Sequence, residues 1–439
     1  MILRIFNAFT GNLKMDFYTL IKTSVFCIIF ICYTEPLYAK EYWISPPSPL
    51  RDYCTKQSCL CNKSNACALN SFLLKQLSPG DFVYFEKGVY PAFTLNNIHG
   101  TVEQPITFNG SFSIGKAEVS LNPKKSKDLV EIKKSSYLIL TGFKINHSPR
   151  AGIRVNNSHH IILESNKLTN NAVWGIFTNH SNYFTAANNI IVGPAEQHGI
   201  YHSNSGDNVK ITSNFIQNFN GCGVQINGDL SMGGAANVKG DGIISNVEIS
   251  NNYFSGNGLV GGSAINLDGV VDGNINNNII INNKAAGISI FKGDGAVGSS
   301  LINVSDNLMI MAKRAKWAVN IKNSGGKNSF TNNIMISQDA FRGIYDVLPV
   351  DFSAKNKTEV VPFTANNNLY GYGRHLIALN DEHYLPLDKW QKDYKIDKGS
   401  SKIAYKYIMS NQGKLSLPVV KLLKKRSIAE FNAYLFLLL

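Results

Sequence analysis

Gln197-His198-Gly199-Ile200-Tyr201-His202 is the densest run of proton-carrying side chains in the sequence. An imidazole titrates near neutrality and a phenol can protonate a leaving oxygen, so the run could supply acid–base chemistry. Further on, Asp229 and Asp241 flank a glycine-rich stretch, Asp268 follows, and Lys292 and Asp294 stand in Phe291-Lys-Gly-Asp-Gly295. Carboxylates gathered beside a lysine suit two tasks, holding Ca²⁺ through oxygen and removing a proton that the ion has acidified. They also suit a surface set of ion pairs. The candidate catalytic groups are therefore His198, Tyr201 and Lys292, and the candidate Ca²⁺ ligands Asp229, Asp241 and Asp268.

Residues so far apart in sequence meet only if the chain returns repeatedly to one place, and a repeat shows that it does. Gly152-Ile-Arg-Val, Gly175-Ile-Phe-Thr, Gly199-Ile-Tyr-His, Gly223-Val-Gln-Ile and Gly287-Ile-Ser-Ile share one frame, which Ala264-Ile-Asn-Leu and Ala318-Val-Asn-Ile also fit. A second marker is an asparagine ahead of another apolar strand: Asn166, Asn189, Asn214, Asn252, Asn278, Asn307, Asn333 and Asn368. The intervals lie in the twenties, stretched twice into the thirties, which is the mark of a solenoid. Apolar residues alternate with period two and no helical spacing intervenes, so the expected fold is all-β, a right-handed parallel β-helix solenoid. The asparagines are read as structural, because Asn tolerates left-handed corners and can bond along a stack.

Alternation that buries Ile and Val turns the intervening residues outward, on coils about 4.8 Å apart. Aligned on Gly or Ala, one outward column reads Arg154, Phe177, Tyr201, Gln225, Asn266, Ser289, Asn320. The next reads Asn156, Asn179, Ser203, Asn227, Asp268, Phe291, Lys322. Polar groups for hydroxyls and flat rings for sugar faces suit a glycan, so the expected substrate-binding residues are Arg154, Phe177, Gln225, Asn227, Asn266, Ser289, Asp294, Asn320 and Lys322. The insert from Leu230 to Asp241 is placed to overhang this groove. The same alignment turns His202 inward and leaves His198 at the groove edge.

Ahead of the repeats, Pro79-Gly80-Asp81-Phe-Val-Tyr-Phe leads to Gly88-Val-Tyr90 and then Pro105-Ile-Thr-Phe108; near the other end stand Leu387-Asp-Lys-Trp390-Gln391, Asp397 and Ser400. These stretches resemble the opening and closing of the pectate-lyase-like β-helix superfamily, over roughly residues 75 to 400. The resemblance implies a polysaccharide lyase, a C5-epimerase or a glycoside hydrolase. A lyase would use His198 or Lys292 as base and Tyr201 as acid, with Asp229 and Asp268 on Ca²⁺ or sugar. The sequence departs from the catalytic motifs of the polygalacturonases, pectate lyases, chondroitinase B group and alginate epimerases. Hence the expected function is a lyase on an acidic, uronate-containing polysaccharide, and the alternative is a non-catalytic glycan-binding or adhesin protein.

The ends complete the domain plan. Residues 1–39 read as a secretory leader, a basic start and a short apolar run ending near Ala39, so the protein is expected to be secreted, periplasmic or at the cell surface, without a transmembrane anchor in the mature chain. Residues 40–75 hold Cys54, Cys59, Cys61 and Cys67, read as a disulfide-rich N-terminal cap with three possible pairings; residues 76–400 form the β-helix and 401–439 a C-terminal cap or tail. Cys222 reads as a buried apolar residue. The net charge of +13 favours acidic partners. Nucleic acid is not among them, because Lys124-Lys125 and Lys424-Lys425-Arg426 are short clusters near the ends rather than a stripe.

Overall fold

The computed structural model describes residues 39–47, 61–110, 117–119, 127–230, 240–348 and 361–403. The expected leader, Cys54, Cys59, both lysine clusters, most of the 230–241 insert and the tail beyond 403 lie outside them. What is described belongs to one unit that begins at Glu41.

Strands of two to seven residues cannot bury an apolar face alone, and here each is covered by its equivalent one coil away. Three sheets result, each of twelve strands, in which strands pair with the one three places further along the chain except at two ends, where Glu41–Ile44 pairs with the next strand, Phe82–Phe85, and Ile377–Leu379 with the next, His383–Leu385. Sheet I runs from Glu41–Ile44 to Phe363–Asn366, sheet II from Phe93–Asn96 to Ile377–Leu379, and sheet III from Gly88–Tyr90 to Ser401–Lys402. All pairings are parallel except the last in sheet II, where His383–Leu385 runs back along Ile377–Leu379. The interior is the expected one: Ile153, Ile176, Ile200, Val224, Ile265, Ile288 and Val319 stack in register and are fully buried.

Two boundaries differ from the sequence reading. The solenoid begins at Glu41–Ile44, which pairs with Phe82–Phe85, and not at residue 76. The cysteine-bearing segment is therefore inserted after the first strand, and four residues were too few to register as a repeat. Within it Cys61 and Cys67 form a disulfide, and Leu73 of the short helix Ser71–Gln76 enters the core. At the other end helix Leu387–Tyr394 closes the stack, its buried Trp390 packed on Phe363 at 6.0 Å.

The asparagine ladder is structural, as read, but the division of labour differs. All eight residues are buried. In the first seven, Nδ2 and the backbone N–H donate to Oδ1 of the next ladder residue, at 2.8–3.2 Å, as in Asn189 to Asn214 and Asn307 to Asn333, and the last, Asn368, ends the ladder with its N–H donating to the Ser400 hydroxyl. The left-handed corner falls to the residue before, such as Asn188, Asn251 or Asn332, with φ between 54° and 59°.

His202 points inward and is fully buried, as expected. Its Nε2 donates to Gly206 O at 2.6 Å, so Nδ1 accepts from the Thr178 hydroxyl, also at 2.6 Å. Burial holds this imidazole down to about 4. In the unfolded chain it protonates near 6.5. Its contribution is therefore complete above pH 6.5 and is lost as pH falls toward 4, a difference of about 3 kcal/mol. Urea unfolding at pH 7 and pH 4.5 should show this loss, and His202→Leu should flatten the acid limb; an unchanged limb would show that other groups control it.

Candidate functional site

Register confirms both outward columns of sheet II. Arg154, Phe177, Tyr201, Gln225, Asn266, Ser289 and Asn320 are successive Cα partners, and so are Asn227, Asp268, Phe291 and Lys322. On sheet I the equivalent outward residues Lys210, Asn274 and Asn303 are exposed, as on any solvated sheet face. On sheet II, Phe177, Gln225, Asn227, Asn266, Asp268 and Ser289 are buried although they point away from the core. They form the floor of a walled groove.

One wall was missed in the sequence. It comes from the residues immediately ahead of the strand-opening Gly or Ala: Trp174, His198, Cys222, Ser263, Ala286 and Trp317. A third column read from the same alignment would have found it. Upstream it is aromatic, with Trp174 4.7 Å from Phe177 and 6.2 Å from Tyr201, and His198 edge-on to Tyr201 at 5.2 Å. Downstream it narrows to Ser263 and Ala286, which hollows out a cleft of about 290 Å³ bounded by Lys316, Trp317, Lys322 and Asp346. Asn320 lines this cleft, and its Oδ1 is buried without a hydrogen-bond partner among the described residues, leaving an acceptor for a hydroxyl.

The opposite wall is the Phe291–Gly295 turn, which folds back over two coils. Asp268 holds it there, accepting the N–H groups of Gly293, Asp294 and Gly295 at 2.8, 2.8 and 3.2 Å. Asp294 thereby reaches Asn227, whose Nδ2 donates to Asp294 Oδ2 at 3.4 Å and to the Tyr201 hydroxyl at 3.2 Å. Since Asn227 donates to the Tyr201 oxygen, the phenol proton is free to go elsewhere. Burial, with Asp229, Asp294 and Asp268 adding to it, pushes the Tyr201 hydroxyl above its ordinary 10, so it stays protonated at neutral pH. Lys292 is exposed on the same turn, and the described ends of the insert, Leu230 and Gly240–Gly242, border it: Leu230 N–H donates to Asp294 O at 2.9 Å.

Asp229, Asp241 and Asp268 are not grouped: among the described residues no set of three His, Cys, Asp or Glu side chains is placed to share an ion. Asp268 is committed to three backbone N–H groups, while Asp241 is exposed and accepts Ile243 N–H. His198 is unsuited to act as a base. The Cys222 N–H donates to its Nδ1 at 2.9 Å, and burial holds it down to about 4, so the ring is neutral with its proton on Nε2 and no free lone pair. Arg154 and Lys322 lie in the groove but face carboxylates: Arg154 is 4.0 Å from Asp128 and lies over Phe177, and Lys322 is 3.2 Å from Asp346. Cys222 is buried as expected, and burial pushes its thiol up to about 12.

Compared with known proteins, residues 128–347, half of the chain, match the family described as the right handed beta helix region. The chain belongs to that family. Among solved structures, the right-handed β-helix of this chain is similar to an alginate lyase from Paenibacillus sp. strain FPU-7, at 19% identity and a TM-score of 0.48, covering 70% of this chain and 97% of that one. It is similar to pectate lyase Pel9A at 15% identity and TM-score 0.49, covering 70% and 78%. It is similar also to PfbA, a surface adhesin of Streptococcus pneumoniae, at 13% identity and TM-score 0.47, covering 68% and 80%. No curated protein matches the chain by sequence. No helix among the described residues is long and apolar enough to cross a membrane.

Proposed function

We propose that this is a secreted, carbohydrate-active β-helix whose sheet II groove binds an extended polysaccharide and cleaves it by β-elimination. One observation carries the reading: Phe177, Gln225, Asn227, Asn266, Asp268 and Ser289 on the outward face of sheet II are polar or aromatic and are buried by walls, whereas Lys210, Asn274 and Asn303 on the same coils of sheet I are exposed. In the reaction, Lys292 takes the uronate C5 proton in its unprotonated amine form and becomes the ammonium, the C4–O bond breaks, and Tyr201 gives its phenol proton to the departing oxygen, leaving a C4–C5 double bond. Trp174, Phe177 and the neutral His198 hold the sugar upstream of Tyr201, and the cleft beside Trp317 holds it downstream.

A second reading, glycan binding without turnover, is favoured by the pairing of Lys322 with Asp346, which leaves that cation less able to neutralise a substrate carboxylate. Incubation with alginate, pectate and glycosaminoglycans decides between them. Lysis yields unsaturated ends absorbing in the ultraviolet. Retention of a polymer without that absorbance establishes the binding protein, and neither retention nor absorbance removes both readings.

A further inference from the structure

Sheet I carries a different surface on the same coils that hold Arg154, Phe177 and Tyr201. Tyr137, His160 and Tyr183 stack face to face along the solenoid, with ring centroids 4.3 and 4.2 Å apart and planes within 19°. Beside them Ile139, Ile162 and Thr185 are successive register partners and form a half-buried floor. Ring wall and floor, closed at one end by Val102 and Pro105, enclose about 290 Å³. Beyond Thr185 the column turns to the Lys210–Glu248 ion pair, at 3.1 Å, which bounds the trough.

Each ring residue sits in left-handed backbone, with φ of 55°, 54° and 52°. Further along, the column uses Asn208, Asn246 and Asp272, which tolerate that conformation, and then Leu301 and Lys327, which tolerate it less well. The three rings differ from these later members in being consecutive and stacked. The lining contains no Asp, Glu, Lys or Arg, and its rim is made of hydroxyl and amide groups, those of Thr101, Thr185 and Asn208 among them.

We infer that this trough is a second glycan-binding site, separate from the groove, which takes one or two uncharged sugar rings with their C–H faces on Tyr183 and the Ile139–Ile162 floor. Charge selects the ligand: an uncharged lining gives no return for desolvating a carboxylate, whereas aromatic and aliphatic faces edged by hydrogen-bonding groups match a pyranose. The size fits as well, at the lower end of small-ligand pockets. An apolar protein partner would call for a wider patch than this trough supplies.

The test is titration of the protein with cellohexaose, xylohexaose and an alginate hexamer, monitored through the ring resonances of Tyr137, His160 and Tyr183. A neutral hexamer is expected to shift them. Tyr183→Asn, which installs a residue the column already tolerates, is expected to fold normally and to weaken that binding about tenfold. Phe177→Ala should leave it unchanged while impairing the groove, so failure of one site is distinguishable from failure of the other. Absence of shifts with both neutral sugars overturns the assignment. So does binding that survives in Tyr183→Asn, or a loss of self-association in that variant, which would make the trough a contact between copies of the chain.

Discussion

Tyr201→Phe is expected to lower turnover on the cleaved polysaccharide about 10²–10⁴-fold, with little change in KM. Phenylalanine keeps the ring, and with it the packing on Phe177 at 5.3 Å and on His198 and Trp174. Only the hydroxyl is lost, the group to which Asn227 donates and the one proposed above as the acid. Because burial and nearby carboxylates raise this phenol, its protonated form persists across neutral pH, and the wild-type rate should show no alkaline decline from Tyr201 below pH 10. Steady-state kinetics by ultraviolet absorbance check both points. A Tyr201→Phe variant retaining half its turnover would remove Tyr201 from the chemistry.

Asn252→Ala is expected to cost about 3–5 kcal/mol, among the largest effects of any single side chain here. Asn252 Oδ1 accepts the Asn214 N–H at 2.8 Å and Asn214 Nδ2 at 3.0 Å, while its Nδ2 donates to Ile211 O at 2.8 Å and Asn278 Oδ1 at 3.0 Å. Alanine strands these groups in the interior, on both neighbouring coils at once. In a solenoid the damage should begin locally, so amide exchange around residues 211–214 and 278 should rise before global unfolding. Asn251→Gly is the contrast. Asn251 takes the left-handed corner with φ of 58°, which glycine adopts freely, and a small effect is expected. Urea unfolding measures both, and a loss below 1 kcal/mol for Asn252→Ala would mean that water takes over the ladder's bonds.

The fold was legible because its rule is local and repeated. Ile153 to Val319 alternate with period two, and eight asparagines recur at a coil's interval, so the inward and outward columns followed from alignment alone. The site was legible only to the depth of those columns. Gln225, Asn266 and Ser289 were placed on the groove floor by counting. Trp174 and Trp317 lie one residue ahead of the strand-opening Gly175 and Ala318, outside the two columns that alternation defines. The role of Asp268 depends on how the Phe291–Gly295 turn folds back, and no periodicity encodes that. His198 looked like a base because its type and place suit one, and a single backbone N–H from Cys222 changes its chemistry. The Tyr137–His160–Tyr183 stack was hidden for a related reason: those residues occupy left-handed positions where propensity expects Asn or Gly.

A column of parallel strands has no natural last member, because each new edge can template a further strand laid the same way. Here the edge of sheet II meets His383–Leu385 running backward, and Trp390 lies across Phe363 at the end of sheet I. A second molecule arriving end-on at this pole finds an edge of the wrong polarity and no bare apolar coil to add to. Thus about a dozen residues, His383–Leu385 and Leu387–Tyr394, work as a length regulator. They close this end of a repeat that is chemically close to a fibre.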